Sequence, residues 1–280
     1  MKYSVVINQF KRREYVEKAI ESCLDLQKLP NEKLEVIVVT DFPLNMDQYA
    51  NNSHYVENIV CKISDIGYRY AQGLKRATGD WIFLLDDDDY FLPDKLDRYR
   101  YVREYIQVIK EYSGPRIRNI ITDNKQKWNK WMKQVIKHHV DWHGSQYCFS
   151  SKFKEYLLAN GIDTVDTSFD KYLFAMAMDD VEGLWLLKGT KTLKVNHADS
   201  KMHSMTPEQK RDFYVRTVNM IMNVEVPSLY RDYTYDLNVF LSSGSKACFN
   251  KIKDYLPLIN RLYYEHVWKP YTENYTTDTS

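Results

Sequence analysis

Gly79-Asp80-Trp81-Ile82-Phe83-Leu84-Leu85-Asp86-Asp87-Asp88-Asp89-Tyr90-Phe91 joins an apolar run directly to four consecutive aspartates. An unbroken apolar stretch after a Gly-Asp pair suits a strand buried on both faces. Four adjacent carboxylates repel one another and raise each other's pKa values. Two arrangements relieve that repulsion: a bound cation, or solvation of the run as a charged turn. Its place at the end of a buried strand favours the cation.

The flanking chain supplies the context. Residues 3–8 (YSVVIN) read as a buried strand, and Tyr15, Val16, Ala19, Ile20, Cys23 and Leu24 set a helix over 13–27. Residues 34–40 (LEVIVVT) read as a second buried strand ending at Asp41, and 58–63 as a short third one before a helix near 67–77. Alternating strand and helix gives an α/β fold with a mostly parallel, Rossmann-like sheet flanked by helices. Such sheets bind ligands beyond the carboxyl ends of their strands. Asn8, Asp41 and the Asp86–Asp89 run all fall at such ends, so three strands deliver polar groups to one edge.

Further along, Pro93 opens an expected helix over 93–112, closed by Ser113-Gly114-Pro115. A strand is expected over 116–123. Trp142-His143-Gly144-Ser145 precedes a strand that runs into a helix within 143–157, and 168–188 is apolar with interruptions. Residues 192–195 read as a strand leading to a loop with His197 and His203, and Thr206-Pro207-Glu208-Gln209 is a capping-box helix start. A last amphipathic helix is expected over 246–266.

Bulk properties narrow the class. The chain has 280 residues, 44% of them hydrophobic and 28% charged, with net charge +1, which suits a globular protein and gives no global case for nucleic acid. Lys125, Lys127, Lys130, Lys133 and Lys137 interleave with Trp128 and Trp131. That segment is either a solvated face or a surface for an anionic acceptor or membrane. Four scattered cysteines without a CxxC pair argue against zinc and against a disulfide framework, and suit a reducing compartment. The first strand starts by residue 3 and no apolar run is long enough to span a bilayer, so a cytoplasmic protein is expected, with peripheral contact at the inner membrane face as an option.

Four blocks in order resemble the family 2 glycosyltransferases of the GT-A fold. Ser4-Val5-Val6-Ile7-Asn8-Gln9-Phe10-Lys11-Arg12 stands where that family has SVVIPTYNR, and Glu35–Asp41 where it has EIIVVDDGS. Ala77–Asp89 with Pro93 and Leu96 matches its AxGDYIxFLDxDDxxxPxxL block. Phe169–Phe174 followed by Met178-Asp179-Asp180-Val181-Glu182 matches its FDExFFMxxEDVELxLRL block. The resemblance covers about residues 1–200 and implies two parts: residues 1–125 would bind a nucleotide-sugar and 126–204 would form the acceptor half. Residues 205–280, with no counterpart in the family pattern, read as a helical extension.

The resemblance also implies roles. Asp86 and Asp88 become the ends of a DxD motif, with Asp88 the expected direct ligand of Mn²⁺ or Mg²⁺ and Asp87 facing the ribose or reaching the metal through water. Asp89 is spare, solvated or on the donor sugar. Asn8, Phe10, Asp41 and Arg69 become nucleotide contacts: Phe10 for base stacking, Asp41 for base or ribose, Arg69 for phosphate. Asp180 becomes the general base for inverting transfer, a role compatible with its also capping a helix over 181–188, and His203 (or His197) completes the metal site. The expected partners are a UDP- or GDP-sugar and a glycan, lipid-carrier or protein acceptor, with the last helix a dimerisation or membrane face. A nucleotidyltransferase shares the architecture, but its Gly-rich phosphate loop has no counterpart in Asn8–Arg13. A non-catalytic nucleotide-sugar-binding module is the other alternative.

Overall fold

The computed structural model describes residues 1–49, 55–100, 106–112, 143–166, 169–179 and 184–195, and single positions between 205 and 216. The chain divides into two compact units. The first comprises Met1–Ser113, His143–Asp170 and Glu182–Asn196. The second comprises Gly114–Trp142, Lys171–Val181 and His197–Ser280.

The first unit is built on a seven-stranded sheet. Its strands are β1 (Lys2–Asn8), β2 (Lys33–Thr40), β3 (Tyr55–Val60), β4 (Trp81–Asp86), β6 (Val108–Tyr112), β7 (Tyr147–Ser150) and β8 (Leu184–Lys188), in the order β3-β2-β1-β4-β7-β6-β8. Only β7 runs against the rest, pairing antiparallel with β4 and β6. A separate ribbon joins β5 (Asp89–Phe91) to β9 (Thr192–Lys194). The mostly parallel sheet with flanking helices is the expected fold class.

The continuous apolar character of β1 follows from covered faces on both sides. Tyr3, Val5 and Ile7 join α1 (Arg13–Leu24) in one core through Val16, Ala19, Ile20 and Cys23. Val6 points the other way, toward α2 (Ile66–Arg76), where Gly73 lets the helix approach so closely that a Cβ would lie 2.3 Å from Val6 Cγ1. Burying each such aliphatic side chain stabilises the sheet by about 1.5–3 kcal/mol. The Gly79-Asp80 pair has a local reason as well. Gly79 N–H donates to Ser4 Oγ (2.7 Å), a Cβ on Gly79 would meet that oxygen, and Asp80 exchanges hydrogen bonds with the backbone of Lys2 (2.7 and 2.8 Å). The pair thereby locks the start of β4 to the start of β1.

Two expectations are corrected. The helix over 93–112 is replaced by a 3-10 turn at Lys95–Arg98 and strand β6. Pro93 does open a turn, but Val108, Ile109 and Lys110 pair with strands on both sides, and this tertiary pairing overrides the helical spacing. Residues 184–188 are likewise a strand beside β6 rather than part of a helix over 181–188. Strand β6 carries Lys110 and Glu111 into the core. Glu111 accepts from Lys95 Nζ (3.0 Å), Tyr99 OH (3.0 Å), Thr190 Oγ1 (3.2 Å) and the Lys191 N–H (3.1 Å).

The short strand and following helix within 143–157 are β7 and α3 (Ser151–Ala159), which Ser150 caps through Oγ (3.2 Å to the Phe153 N–H). Helix α4 spans Phe169–Asp179. In the second unit Thr206 and Gln209 form the expected reciprocal capping box (2.8 and 3.3 Å). The segments 116–123, 125–137 and 246–266 lie outside the described residues.

Candidate active site

β1, β2 and β4 end side by side. Asn8 is in register with Asp86, and Asp41 follows the last residue of β2. The carboxyl edge is held by Arg69, which is wholly buried in the first turn of α2. Its Nε donates to Asn8 Oδ1 (2.8 Å), Nη1 to the Cys61 and Ile63 carbonyls, and Nη2 to the Gln9 and Val39 carbonyls (2.9 Å for Val39). All five guanidinium N–H groups are thus taken up by the ends of β1 and β2 and the loop after β3. Expected as a phosphate contact, Arg69 instead positions the strand ends, and Asn8 is its anchor. Burial lowers its pKa.

Phe10 is half-buried, with Arg69 Cζ 5.0 Å and Lys11 Nζ 5.1 Å from its ring centre. Lys11 has φ 70°, a left-handed conformation uncommon for a side-chain-bearing residue. Asp41 is partly exposed, and its carboxylate lies 3.4 Å from the Lys11 N–H. Gln9 is buried with neither polar atom of its side chain hydrogen-bonded.

The four aspartates sort into two pairs. β4 ends at Asp86, β5 begins at Asp89, and Asp87-Asp88 form the turn between them. The outer pair, Asp86 and Asp89, gathers with His143: one ligand atom from each lies within 4.8 Å of the others. Asp86 Oδ1 accepts from Tyr70 OH (2.9 Å), and that ring stacks on Phe169 at 4.4 Å. Ser145 Oγ donates to Asp89 Oδ2 (2.5 Å) while accepting from the Asp86 N–H (2.9 Å). His143 Nε2 lies 3.3 Å from Asp89 Oδ2. The turn pair faces Arg12: Nη2 is 2.6 Å from Asp87 Oδ1 and Nη1 is 2.7 Å from Asp88 Oδ2.

This much negative charge is held at a penalty. Burial pushes the Asp87 carboxyl up to about 8 despite the Arg12 contact. Asp86 and Asp89 are also pushed up, by burial first and then by neighbouring aspartates. Asp87 Oδ2 is buried without a hydrogen-bond partner. Carboxylates with one imidazole, fixed by outer hydrogen bonds, form a donor set that fits a divalent cation.

Of the residues expected at the site, Asn8, Phe10, Asp41, Asp86, Asp87 and Asp88 are brought to one edge, with Asp88 paired to Arg12. Asp180, His197 and His203 lie outside the described residues. Sequence reasoning missed His143, Ser145, Tyr70 and the counter-charge of Arg12, and treated Asp89 as spare. A signal for two of them existed: His143-Gly144-Ser145 stands directly before a strand that pairs with β4.

Comparison with known proteins agrees with this geometry. Residues 4–99 match the model of glycosyl transferase family 2. An uncharacterized glycosyltransferase of Mycoplasma genitalium is 31% identical over 111 residues, 34% of this chain and 34% of that protein. The match therefore spans about a third of the curated relative. S. aureus TarS 1-349 in complex with UDP-GlcNAc superposes with TM-score 0.58 at 16% identity, covering 87% of this chain and 73% of that one. The Pyrobaculum calidifontis mannosyltransferase PcManGT in complex with GDP-Man and Mn²⁺ superposes with TM-score 0.55 at 12% identity, covering 97% and 83%. The fold is shared across that distance, and residues 4–99, which carry the acid run near their C-terminal end, match the family 2 glycosyltransferase model.

Proposed function

We propose that the chain is a divalent-metal-dependent, inverting glycosyltransferase that moves a sugar from a UDP- or GDP-sugar to an acceptor hydroxyl. The observation that carries this reading is the acid run at the carboxyl end of β4, set beside Asn8 and near Asp41 at the strand edge where such sheets take nucleotides. Solved relatives of the same fold hold UDP-GlcNAc in one case and GDP-Man with Mn²⁺ in the other.

Asp86 and Asp88 would hold the cation, with Asp89 and His143 beside Asp86. A divalent cation held there would supply charge neutralisation for the departing diphosphate. Carboxylates with an imidazole suit Mn²⁺ better than Mg²⁺, which prefers oxygen ligands and keeps its waters. Phe10 would stack on the base, and Asp41 would accept from the base or ribose. Asp180 would take the acceptor's proton as the acceptor oxygen bonds to the anomeric carbon and the bond from that carbon to the diphosphate breaks. Residues 1–125 would serve the donor, 126–204 the acceptor, and 205–280 would brace, dimerise or meet a membrane. The acceptor class is a glycan, lipid carrier or protein. No helix among the described residues is long and apolar enough to cross a membrane. The described cysteines, Cys23, Cys61 and Cys148, are unbridged, which supports a cytoplasmic assignment.

A thermal-shift panel of UDP, GDP, dTDP and CDP with and without Mn²⁺ tests the reading. A ligand that binds only the folded state at a hundred times its Kd adds about 2.7 kcal/mol. UDP or GDP should raise the Tm only with Mn²⁺, and no shift from any nucleotide with metal would overturn the reading. Asp180→Asn should keep the shift and lose about 10²–10⁴-fold in transfer rate.

A further inference from the structure

The Asp87-Asp88 turn already holds a cation: the guanidinium of Arg12. Arg12 stands immediately after Lys11, whose left-handed backbone (φ 70°) turns the chain at the end of β1, and immediately before α1. From there its two terminal nitrogens reach two different carboxylates, at 2.6 and 2.7 Å. The three groups differ in access. The Asp87 side chain is 2% exposed, Asp88 16% and Arg12 30%. Asp87 is the fixed floor of this arrangement, while Arg12 and Asp88 lie at the solvent side, where they can separate without unpacking the core. By contrast Arg69, the other arginine at this edge, is fully buried and spends all five N–H groups on backbone and Asn8. Of these two arginines, Arg12 is the one whose side chain reaches solvent.

We infer that Arg12 is a tethered competitor of the divalent cation: it occupies Asp88 while the donor is absent and swings to the donor's diphosphate when the metal enters. This rests on the metal-dependent reading of the site. Two like charges cannot share one carboxylate cheaply, because a guanidinium and a divalent ion a few ångströms apart repel strongly in a half-buried setting. The cation must therefore take Asp88 from Arg12. The guanidinium keeps Asp87 and loses its second carboxylate, and the diphosphate is the anion that arrives with the metal to replace it. A planar fork with donors on two nitrogens matches phosphate oxygens well. The consequence is coupling. Metal alone binds weakly because it must break the Arg12–Asp88 pair, and metal with nucleotide binds well because the diphosphate replaces that carboxylate. The two ligands then raise each other's affinity by the same factor.

The test is a Mn²⁺ titration, read by the loss of the free-ion electron paramagnetic resonance signal, on the wild-type chain, Arg12→Gln and Arg12→Lys. Each is titrated alone and with UDP or GDP. Without nucleotide, Arg12→Gln should bind Mn²⁺ about tenfold or more tightly than wild type, since the competing charge is gone. Arg12→Lys keeps the charge and should stay within about threefold of wild type. The gain in Mn²⁺ affinity from nucleotide should be large in wild type and shrink in Arg12→Gln. Mn²⁺ that binds Arg12→Gln no more tightly than wild type overturns this inference while leaving the metal-dependent function intact. Mn²⁺ that binds none of the proteins, with or without nucleotide, overturns both. A crystal structure of the wild-type chain with Mn²⁺ and UDP or GDP decides without a variant, should Arg12→Gln fail to fold. Arg12 moved onto the diphosphate supports the inference, and Arg12 still bridging Asp87 and Asp88 overturns it.

Discussion

Two groups of buried charge sit on the same sheet and are treated in opposite ways. On β6, Glu111 is fully buried but faces Lys95 Nζ, Tyr99 OH, Thr190 Oγ1, Thr192 Oγ1 and the Lys191 N–H. Despite its burial, these partners hold the Glu111 pKa below its usual value. Asp87 and Asp89 of the β4–β5 turn are buried to a similar degree and Asp86 less so, yet burial and mutual repulsion push all three up. One arginine, one histidine, one serine and one tyrosine face four carboxylates there. The first cluster is closed: its charge is matched and its lone pairs are filled from within the fold. The second is open: among the described residues, four carboxylates gather around one arginine and one histidine. A fold that neutralises Glu111 so thoroughly can neutralise carboxylates. The surplus at Asp86–Asp89 therefore points to a ligand rather than to poor packing.

Breaking the closed cluster should have the largest effect on the fold. Lys95→Met strands Glu111 in the core and should destabilise the protein by about 3–5 kcal/mol, read by denaturant unfolding. Lys95→Met with Glu111→Leu removes both charges and should recover most of that loss. In the open cluster the same logic runs the other way. Asp86→Ala should leave the fold's stability near or above wild type, because it relieves repulsion. It should weaken Mn²⁺-dependent nucleotide binding by more than about 100-fold, beyond the range seen for outer-shell partners. Ser145→Ala, which withdraws a hydrogen bond from Asp89, should weaken Mn²⁺ binding by about 10-fold, at the lower end of that range.

The smallest effect separates the clusters by pH. Glu111 has a depressed folded pKa, so its contribution is present above its unfolded pKa of about 4.3 and is lost as pH falls through the folded value. Asp87 has a raised folded pKa, so its contribution is present below about 3.9 and is lost as pH rises through about 8. Asp86 and Asp89 shift in the same direction as Asp87. Metal-free protein should therefore lose stability as pH rises from about 4 to about 8, and saturating Mn²⁺ with nucleotide should flatten that fall. A metal-free profile that rises steadily to pH 8 would contradict the open-cluster description.

Much of the strand and helix order was legible, because β1, β2 and β4 are covered on both faces and so read as unbroken apolar runs. Asn8, Asp41 and the acid run were placed at one edge for the same reason: in a parallel sheet the strand ends coincide. What was hidden depends on partners distant in sequence. Lys110 and Glu111 look wrong for a central strand until Lys95, Gln146 and Thr192 are seen around them, so β6 read as part of a helix. His143 joins Asp86 and Asp89 only because β7 pairs beside β4. Arg69 read as a phosphate contact because its acceptors are carbonyls, which a sequence does not mark. Asp180, the expected base, falls outside the described residues, so its role rests on resemblance.

The most direct test of the central claim, that the open cluster is a metal and diphosphate site, is the anomalous scattering of Mn²⁺ in crystals grown with UDP or GDP. The account predicts one strong peak against the Asp86 carboxylate, with nucleotide phosphate on its other side. A nucleotide bound without metal at Asp86–Asp89, or a peak elsewhere, would contradict it.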